Sequence, residues 1–228
     1  MRIVLLGDTH LPSLMRSLDE LGPEPADALR GADLILHAGD VTIPAVLDWC
    51  GQFAPVLVAE GNNDLFRDPR MAARQIIDVD GWRIGMAHEL RPESRPMPHI
   101  LATVFPTEPI DILIGGDTHV ERLEYRDDVL LVNPGSPILP HHLSTRLGSL
   151  AVLDVSRSKV RVEVLALGET PGLRNPTRPQ HVTIERGAVL DASLDGLPLD
   201  CAAFLAPPSE RPGPQTPSPT GGIAVTGR

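Results

Sequence analysis

Side chains that bind divalent cations follow six successive apolar segments of this sequence. The segments are followed in order by Gly7-Asp8-Thr9-His10, Ala38-Gly39-Asp40, Glu60-Gly61-Asn62-Asn63-Asp64, His88-Glu89, Gly116-Asp117-Thr118-His119 and Asn133-Pro134-Gly135-Ser136. Carboxylate and amide oxygens and imidazole nitrogens are the ligands that hard or borderline divalent cations take. The neighbouring glycines let the backbone approach a shared site closely. No cysteine belongs to this set, so the pattern indicates a cation site other than a structural zinc site.

Each of these polar residues has an ordinary explanation when it is considered alone. Asp40 could cap a helix that starts near Ile43. Asn62 could be a turn residue, and His88 could be a hydrogen-bonded histidine of the core. These explanations would have to coincide at the ends of successive strands, and a single shared site is the simpler interpretation.

The elements that must position these residues are strands alternating with helices, followed by hairpins. We predict strands over 2–6, 33–37, 55–59 and 110–114, helices over 14–21 (with Ser13 as N-cap), 43–52 and 98–104, and hairpins over 74–87, 122–132 and 150–165. Such a mixture predicts an α/β (α+β) protein with two packed sheets and helices outside them. Ligands of such folds bind outside the carboxyl ends of strands, which is where the polar residues lie.

Composition divides the chain of 228 residues into three parts. Residues 1–167 carry strand and helix signals throughout and form the predicted main domain. Residues 168–206 are a C-terminal extension that we expect to pack on that domain, since 181–186 alternates like a strand. Residues 207–228 are rich in Pro, Gly, Ser and Thr and are predicted to be disordered.

The net charge of −10 bears on the partners of the chain. Nucleic acids and anionic membranes require a basic surface, so neither is expected as a partner. A small phosphate-bearing substrate remains compatible with the charge, because bound cations invert the local field. Cys50 and Cys201 are far apart and form no CxxC motif, which favours free thiols and a cytoplasmic location. The oligomeric state stays open.

The ordered set GDTH, GD, GNND, H, GDTH and NPGS resembles the calcineurin-like metallophosphoesterases, and most closely their YfcE-type phosphodiesterase branch. The resemblance covers about residues 1–167. It implies a four-layer αββα sandwich in which two mixed β-sheets are flanked by helices. It also implies two divalent metal ions bound between the sheets.

Individual roles follow from this resemblance. Asp8, His10 and His119 resemble the ligands of one metal ion, Asp40 the bridging carboxylate, and Asn62 and His88 the ligands of the second ion. Asp117 stands where the family has a histidine, and it can still donate an oxygen. An oxygen-rich site favours Mn²⁺ or Mg²⁺, with Ni²⁺, Fe²⁺ and Zn²⁺ as alternatives. Asn133 is expected to support the ligand loops.

The implied reaction is attack on phosphorus by a hydroxide that bridges the two metal ions, with Asp40, Asn62 and Asn63 as candidate catalytic residues. Many members of the superfamily have a proton-donating histidine where this chain has Asn63. An amide cannot act as a general acid, which favours phosphodiesters or esters with good leaving groups. His99, His141 and His142 are candidates for another acid. The alternative is a protein-interaction scaffold, because the retromer small subunit belongs to the same branch.

Overall fold

The computed structural model describes residues 1–12, 15–91 and 95–201. Its strands are β1 (Arg2–Leu6), β2 (Leu34–His37), β3 (Val56–Ala59), β4 (Met71–Ala72), β5 (Gln75–Val79), β6 (Trp82–Met86), β7 (Ile112–Ile114), β8 (Arg122–Arg126), β9 (Val129–Asn133), β10 (Ser149–Val155), β11 (Val160–Ala166), β12 (Gln180–Glu185), β13 (Ala188–Leu194) and β14 (Leu197–Pro198). Its α-helices are α1 (Glu24–Leu29), α2 (Pro44–Cys50) and α3 (Met97–Val104), and 3-10 turns span Leu18–Leu21 and Pro140–His142. Within these described ranges, no helix is long and apolar enough to cross a membrane.

The strands form two mixed sheets. The larger sheet has nine strands in the order β14-β13-β12-β11-β10-β1-β2-β3-β4, and the smaller has five in the order β5-β6-β7-β9-β8. In the larger sheet β1 to β4 are parallel, whereas β10 to β14 run antiparallel to their neighbours. In the smaller sheet β6, β7 and β9 are parallel, and β5 and β8 close its edges antiparallel.

Successive side chains of a strand point to opposite faces of the sheet and so contribute to two different apolar layers. In β1, Ile3 and Leu5 point into the core between the two sheets, whereas Val4 and Leu6 join the cluster on the other face. Such alternation is the two-residue period of a strand buried on both faces. Helix α2 covers this outer face, and α3 packs against the outer face of the smaller sheet. The predicted αββα sandwich with two mixed sheets is therefore confirmed.

The first predicted helix is wrong in its extent. Within the described part of the predicted span, 15–21, only Leu18–Leu21 is helical, as a short 3-10 turn. A separate helix that the sequence did not indicate follows as α1. Gly22 and Pro23 separate the two, because a positive φ at Gly22 and the missing amide hydrogen of Pro23 interrupt helical hydrogen bonding. Ser13 and Leu14 lie outside the described residues. The two-residue strand β4 was also missed, since it is too short to show a period.

The extension continues the larger sheet. Strand β12 pairs antiparallel with β11, and its Val182 and Ile184 enter the core between the sheets. The loop after β12 also touches the smaller sheet, where the guanidinium of Arg186 lies 4.4 Å from the ring centroid of Trp82. The segment 207–228, predicted to be disordered, lies outside the described residues.

Candidate metal centre

The predicted site residues lie on loops at the carboxyl ends of strands from both sheets. Asp8 follows β1, Asp40 follows β2 and Asn62 follows β3, all in the larger sheet. His88 follows β6, and Asp117 and His119 follow β7, both in the smaller sheet. The cluster is thus assembled from segments more than 100 residues apart, as the contact between His10 and His119 illustrates.

A first ligand group consists of Asp8, His10 and His119, whose donor atoms lie within 4.8 Å of one another. The Nε2 atoms of His10 and His119 are 3.0 Å apart, and Nε2 of His119 is 3.9 Å from Oδ1 of Asp8. Nδ1 of His119 lies 2.9 Å from the carbonyl oxygen of Leu139, which can only accept a hydrogen bond. Nδ1 therefore carries the proton, and Nε2 presents its lone pair to the cluster.

A second ligand group consists of Asp8, Asp40 and His88, which also lie within 4.8 Å of one another. Nδ1 of His88 donates to the carbonyl oxygen of Ala38 at 2.7 Å, so its Nε2 faces the cluster. This Nε2 is 3.5 Å from Oδ1 of Asp40 and 3.1 Å from Oδ1 of Asn62. The two ligand groups share Asp8 and offer the mixed oxygen and nitrogen donors that divalent cations bind.

Asp8 has a buried oxygen with no partner. Its side chain is fully inaccessible, and Oδ2 accepts no hydrogen bond from any residue that the structure describes. Burial raises the pKa of Asp8 to about 8. An unpartnered carboxylate oxygen is costly in a protein interior, and a cation is the partner that removes this cost. The residues present therefore fit divalent cations.

The pKa values of the other titratable groups also favour cation binding. Burial opposes ionisation of Asp40, but hydrogen bonds from His88 and Asn63 outweigh it and hold the pKa of this carboxyl below its usual range. Burial lowers the pKa of His10, and it lowers the pKa of His119 to about 4, so both are neutral at pH 7. Neutral imidazoles are the form that coordinates metal ions.

His88 behaves differently from the other two histidines. Burial alone would lower its pKa, but the hydrogen bond to Asp40 and the charges of Asp8 and Asp40 raise the pKa to about 9. Two carboxyl groups thus attract a positive charge to the position of His88 in the metal-free protein. A cation bound by the same carboxylates would take the place of that proton.

Asp117 is placed differently from the ligands around it. Both of its carboxylate oxygens accept hydrogen bonds from Arg91, one from Nε and one from a terminal nitrogen, each at 2.6 Å. Its Oδ1 remains 3.9 Å from Nε2 of His88. The structure therefore brings Asp117 to the edge of the second ligand group but engages it with a guanidinium that sequence reasoning did not consider.

The backbone of the site adopts conformations that are rare for residues other than glycine. Positive φ angles occur at Asp8 (53°), His10 (45°), Asp40 (56°), Asp117 (68°) and His119 (57°). Each costs on the order of 1–3 kcal/mol and persists only where the surroundings impose it. At Gly61 the constraint is steric, because a Cβ there would lie 2.2 Å from Oδ1 of Asp40. The recurring Gly-Asp pattern of the sequence reflects these constraints.

Neighbouring polar residues hold the ligand loops together. Asn133 donates to the carbonyl oxygen of Gly116 at 2.9 Å, and Ser136 donates to the carbonyl oxygen of Asp8 at 2.7 Å. Asp64, which the sequence analysis did not single out, accepts from the backbone amides of Asp40, Thr42 and Gly61. Its position at the end of the GNND motif was the available signal. The hydrogen bonds of Asp64 thus connect the loop after β2 to the loop after β3.

The residues that the sequence suggested for proton transfer have different partners in the structure. Asn63 donates to both oxygens of Asp40, from its backbone amide at 2.9 Å and from Nδ2 at 2.7 Å. The imidazole of His141 is hydrogen-bonded to Glu121, and that of His99 to Arg95. The ring of His142 lies 4.2 Å from the ring of His119, so it is the histidine of these three whose side chain contacts a ligand group.

An open groove adjoins the second ligand group. Its volume is about 500 Å³, and its lining includes Glu60, Asn62, Arg74, His88, Glu89 and Thr103. The groove reaches from the ends of β3 and β6 to the last turn of α3. A ligand bound at Asn62 and His88 would therefore have space for a substituent of moderate size.

Comparison with known proteins agrees with this geometry. A model of the calcineurin-like phosphoesterase superfamily domain matches residues 1–158. A probable metallophosphoesterase of Methanothermobacter thermautotrophicus is 31% identical over 171 residues, covering 74% of this chain and 94% of that protein. A phosphodiesterase of Methanocaldococcus jannaschii is 24% identical over 180 residues, covering 72% of this chain and 99% of that protein.

The fold is also found in solved structures. Vps29 of Chaetomium thermophilum superposes with a TM-score of 0.66 at 21% identity, covering 82% of this chain and 99% of that protein. At this identity the likeness concerns the fold. The family model, together with the archaeal relative and the clustered ligand groups, shows that this chain belongs to the calcineurin-like phosphoesterase superfamily, a family of metal-dependent phosphoesterases.

Proposed function

We propose that this protein is a phosphodiesterase that uses two divalent cations, with Mn²⁺ as the favoured ion. The observation that carries the proposal is the fully buried, unpartnered Oδ2 of Asp8, a residue that belongs to both ligand groups. A scaffold that had lost its chemistry would have no reason to keep an unpaired buried carboxylate, since such a group destabilises the fold.

In this proposal Asp8, His10 and His119 hold the first cation, and Asn62 and His88 hold the second. Asp40 faces both positions, with Oδ2 3.2 Å from His10 and Oδ1 3.5 Å from His88. When bound, such cations activate water and stabilise the charge that develops on phosphoryl oxygens. An oxygen-rich ligand set favours Mn²⁺ or Mg²⁺.

Neighbouring groups of the chain orient the side chains that hold the cations. Asn63 fixes both oxygens of Asp40, so this carboxylate cannot rotate away from the cluster. The carbonyl groups of Ala38 and Leu139 fix the rings of His88 and His119. The groove beside Asn62 and His88 has room for an ester group of the substrate.

Preference for diesters follows from the absence of a strong acid at position 63. The amide of Asn63 cannot protonate a leaving oxygen, which disfavours substrates with poor leaving groups. The relative from Methanocaldococcus jannaschii that is named a phosphodiesterase supports the same preference. A small phosphoester is the proposed substrate, and the net charge of −10 disfavours nucleic acids and anionic membranes as partners.

The proposal also includes the organisation and location of the chain. We infer that residues 1–167 form the catalytic domain and that 168–201 are a structural part of it, supported by the pairing of β12 with β11. Both cysteines are free, with Cys50 buried, which supports a cytoplasmic location.

The proposal is tested by hydrolysis of bis-p-nitrophenyl phosphate and p-nitrophenyl phosphate by metal-stripped protein. Mn²⁺, Mg²⁺ or Zn²⁺ is added back separately. We expect turnover of the diester that depends on the metal and falls at least about 100-fold in Asp40→Asn, since loss of groups that only orient the ligands already costs about 10–100-fold. Asp48→Asn is the matched control, because Asp48 is an exposed carboxylate that pairs with Arg70. Absence of turnover with every metal would instead favour the scaffold function.

A further inference from the structure

We propose that Arg91 controls occupancy of the second cation position by holding Asp117 away from it. The inference rests on the proposed two-cation site and concerns the ion pair between Arg91 and Asp117. The resemblance of the motifs implies a histidine at the position of Asp117, and a histidine would not form this ion pair. Here an acidic residue and an arginine take its place.

The geometry of the pair shows that it competes with a cation. Nε of Arg91 donates to Oδ2 of Asp117 and a terminal nitrogen donates to Oδ1, each at 2.6 Å. This two-point arrangement orients both oxygens toward the guanidinium. Asp117 Oδ1 is nevertheless only 3.9 Å from Nε2 of His88, so the carboxylate lies within a small rotation of the second ligand group.

The two partners differ in exposure, which makes Arg91 the mobile one. The side chain of Asp117 is 8% exposed, and its backbone amide is anchored to Oδ1 of Asp8 at 3.1 Å. The side chain of Arg91 is 65% exposed. Arg91 can therefore turn into solvent, whereas Asp117 stays beside His88, where a cation can replace the guanidinium as its partner.

A tetrahedral anion that binds Arg91 would separate it from Asp117. Arginine binds phosphate and sulfate oxygens with the same two-point geometry that it uses for carboxylates. An anion that takes the guanidinium of Arg91 would free Asp117 to complete the second cation position. Binding of the second cation and of a phosphate group would then be cooperative, and by linkage each would strengthen the other.

The test is calorimetric titration of Mn²⁺ into metal-stripped protein, which requires no turnover. We expect two binding steps in the wild type, with the second step tightened about tenfold or more in Arg91→Ala. Arg91→Lys keeps the charge but cannot form the two-point pair, so it should also tighten the second step. Sodium sulfate, compared with sodium chloride at equal ionic strength, should tighten the second step in the wild type but not in Arg91→Ala.

Controls separate release of Asp117 from a general effect of charge. Arg74→Ala removes a positive charge that also lines the groove beside His88, but Arg74 donates to the carbonyl oxygen of Val104 and frees no carboxylate. In an Asp117→Asn background, Arg91→Ala should have no larger effect than Arg74→Ala. The proposal is overturned if Arg91→Lys binds Mn²⁺ like the wild type, or if Arg74→Ala tightens the second step equally. A wild type that binds no Mn²⁺ at all would contradict the proposed function itself.

Discussion

Two carboxyl groups of the same cluster, Asp8 and Asp40, are held in opposite states. Burial raises the pKa of Asp8 to about 8, whereas hydrogen bonds from His88 and Asn63 overcome burial and lower that of Asp40. Asp40 is therefore ionised throughout the neutral range, and Asp8 completes its ionisation when a cation binds. The difference arises from partners, because Asn63 donates twice to Asp40 whereas Oδ2 of Asp8 receives nothing from the described residues.

At the residue scale, His37 should make the stability of the protein depend on pH. It is completely buried, accepts a hydrogen bond from the amide of Gly39 at Nδ1, and lies 3.3 Å from the hydroxyl of Thr9. Burial lowers its pKa to about 3. The unfolded state thus binds a proton between about pH 6.5 and 3 that the folded state does not, so its contribution is complete above pH 6.5 and is lost on acidification.

We expect the metal-free wild type to lose more stability between pH 7 and 4 than His37→Asn, which carries no titrating group. The difference should be on the order of 2–3 kcal/mol, measured by urea unfolding in the presence of EDTA. His99→Asn, in an exposed position of α3, should retain the dependence of the wild type. Parallel stability curves for wild type and His37→Asn would contradict the prediction.

At the element scale, β12 and β13 protect an edge of the larger sheet. Without them β11 would expose its unpaired amides and carbonyls, which is a template for aggregation. Val182 and Ile184 of β12 and Ala192 of β13 are buried between the sheets. The hydroxyl of Tyr125 in β8 also accepts a hydrogen bond from the amide of Gly187 at 2.9 Å, so the extension bridges both sheets.

Removal of β12 and β13 by truncation should expose the edge of β11 and lower the stability of the protein. We expect a chain ending at residue 167 to aggregate, or to melt at least about 10 °C below the full chain, because burial of each core side chain is worth about 1.5–3 kcal/mol. A chain ending at residue 201 keeps every described strand and should melt within a few degrees of the full chain. Thermal unfolding and size-exclusion chromatography measure both outcomes. Equal melting of the two truncated chains would show that the extension is dispensable.

At the scale of the whole molecule, the cation site lies where two sheets meet. Asp8 and Asp40 come from the larger sheet, whereas His88 and His119 come from the smaller one. A cation held by both sets links the sheets at their common edge. Ligand binding of this kind stabilises the folded state as a whole, since the unfolded chain does not hold the ligands together.

Mn²⁺ should therefore raise the melting temperature relative to EDTA. At a concentration 100-fold above the dissociation constant the gain is about 2.7 kcal/mol, or roughly 5–11 °C for a chain of this size. Differential scanning calorimetry of the wild type, Asp8→Asn and the control Asp48→Asn tests this. The shift should vanish in Asp8→Asn and persist in Asp48→Asn. Equal shifts in all three proteins would place the cation elsewhere.

The sequence by itself determined strands β1 to β3 and β5 to β12 and the residues that stand at their carboxyl ends, but it indicated neither β4 nor β13. Alternation in β1 and the Gly-Asp and Gly-Asn motifs are local properties, because strand period and turn chemistry act over a few residues. The extent of the helix around 14–21 was predicted wrongly, since the extended backbone of Ser17 (φ −147°, ψ 160°) begins the turn only at Leu18.

Only the tertiary structure decided which groups touch. Asp117 and Arg91 are 26 residues apart, and nothing in either segment indicates their pairing. The same holds for Asp64, which binds amides of two loops, and for Arg186, which crosses to Trp82 in the other sheet. Such contacts depend on how two sheets and their loops pack against one another, which is set by the whole core and by no single segment.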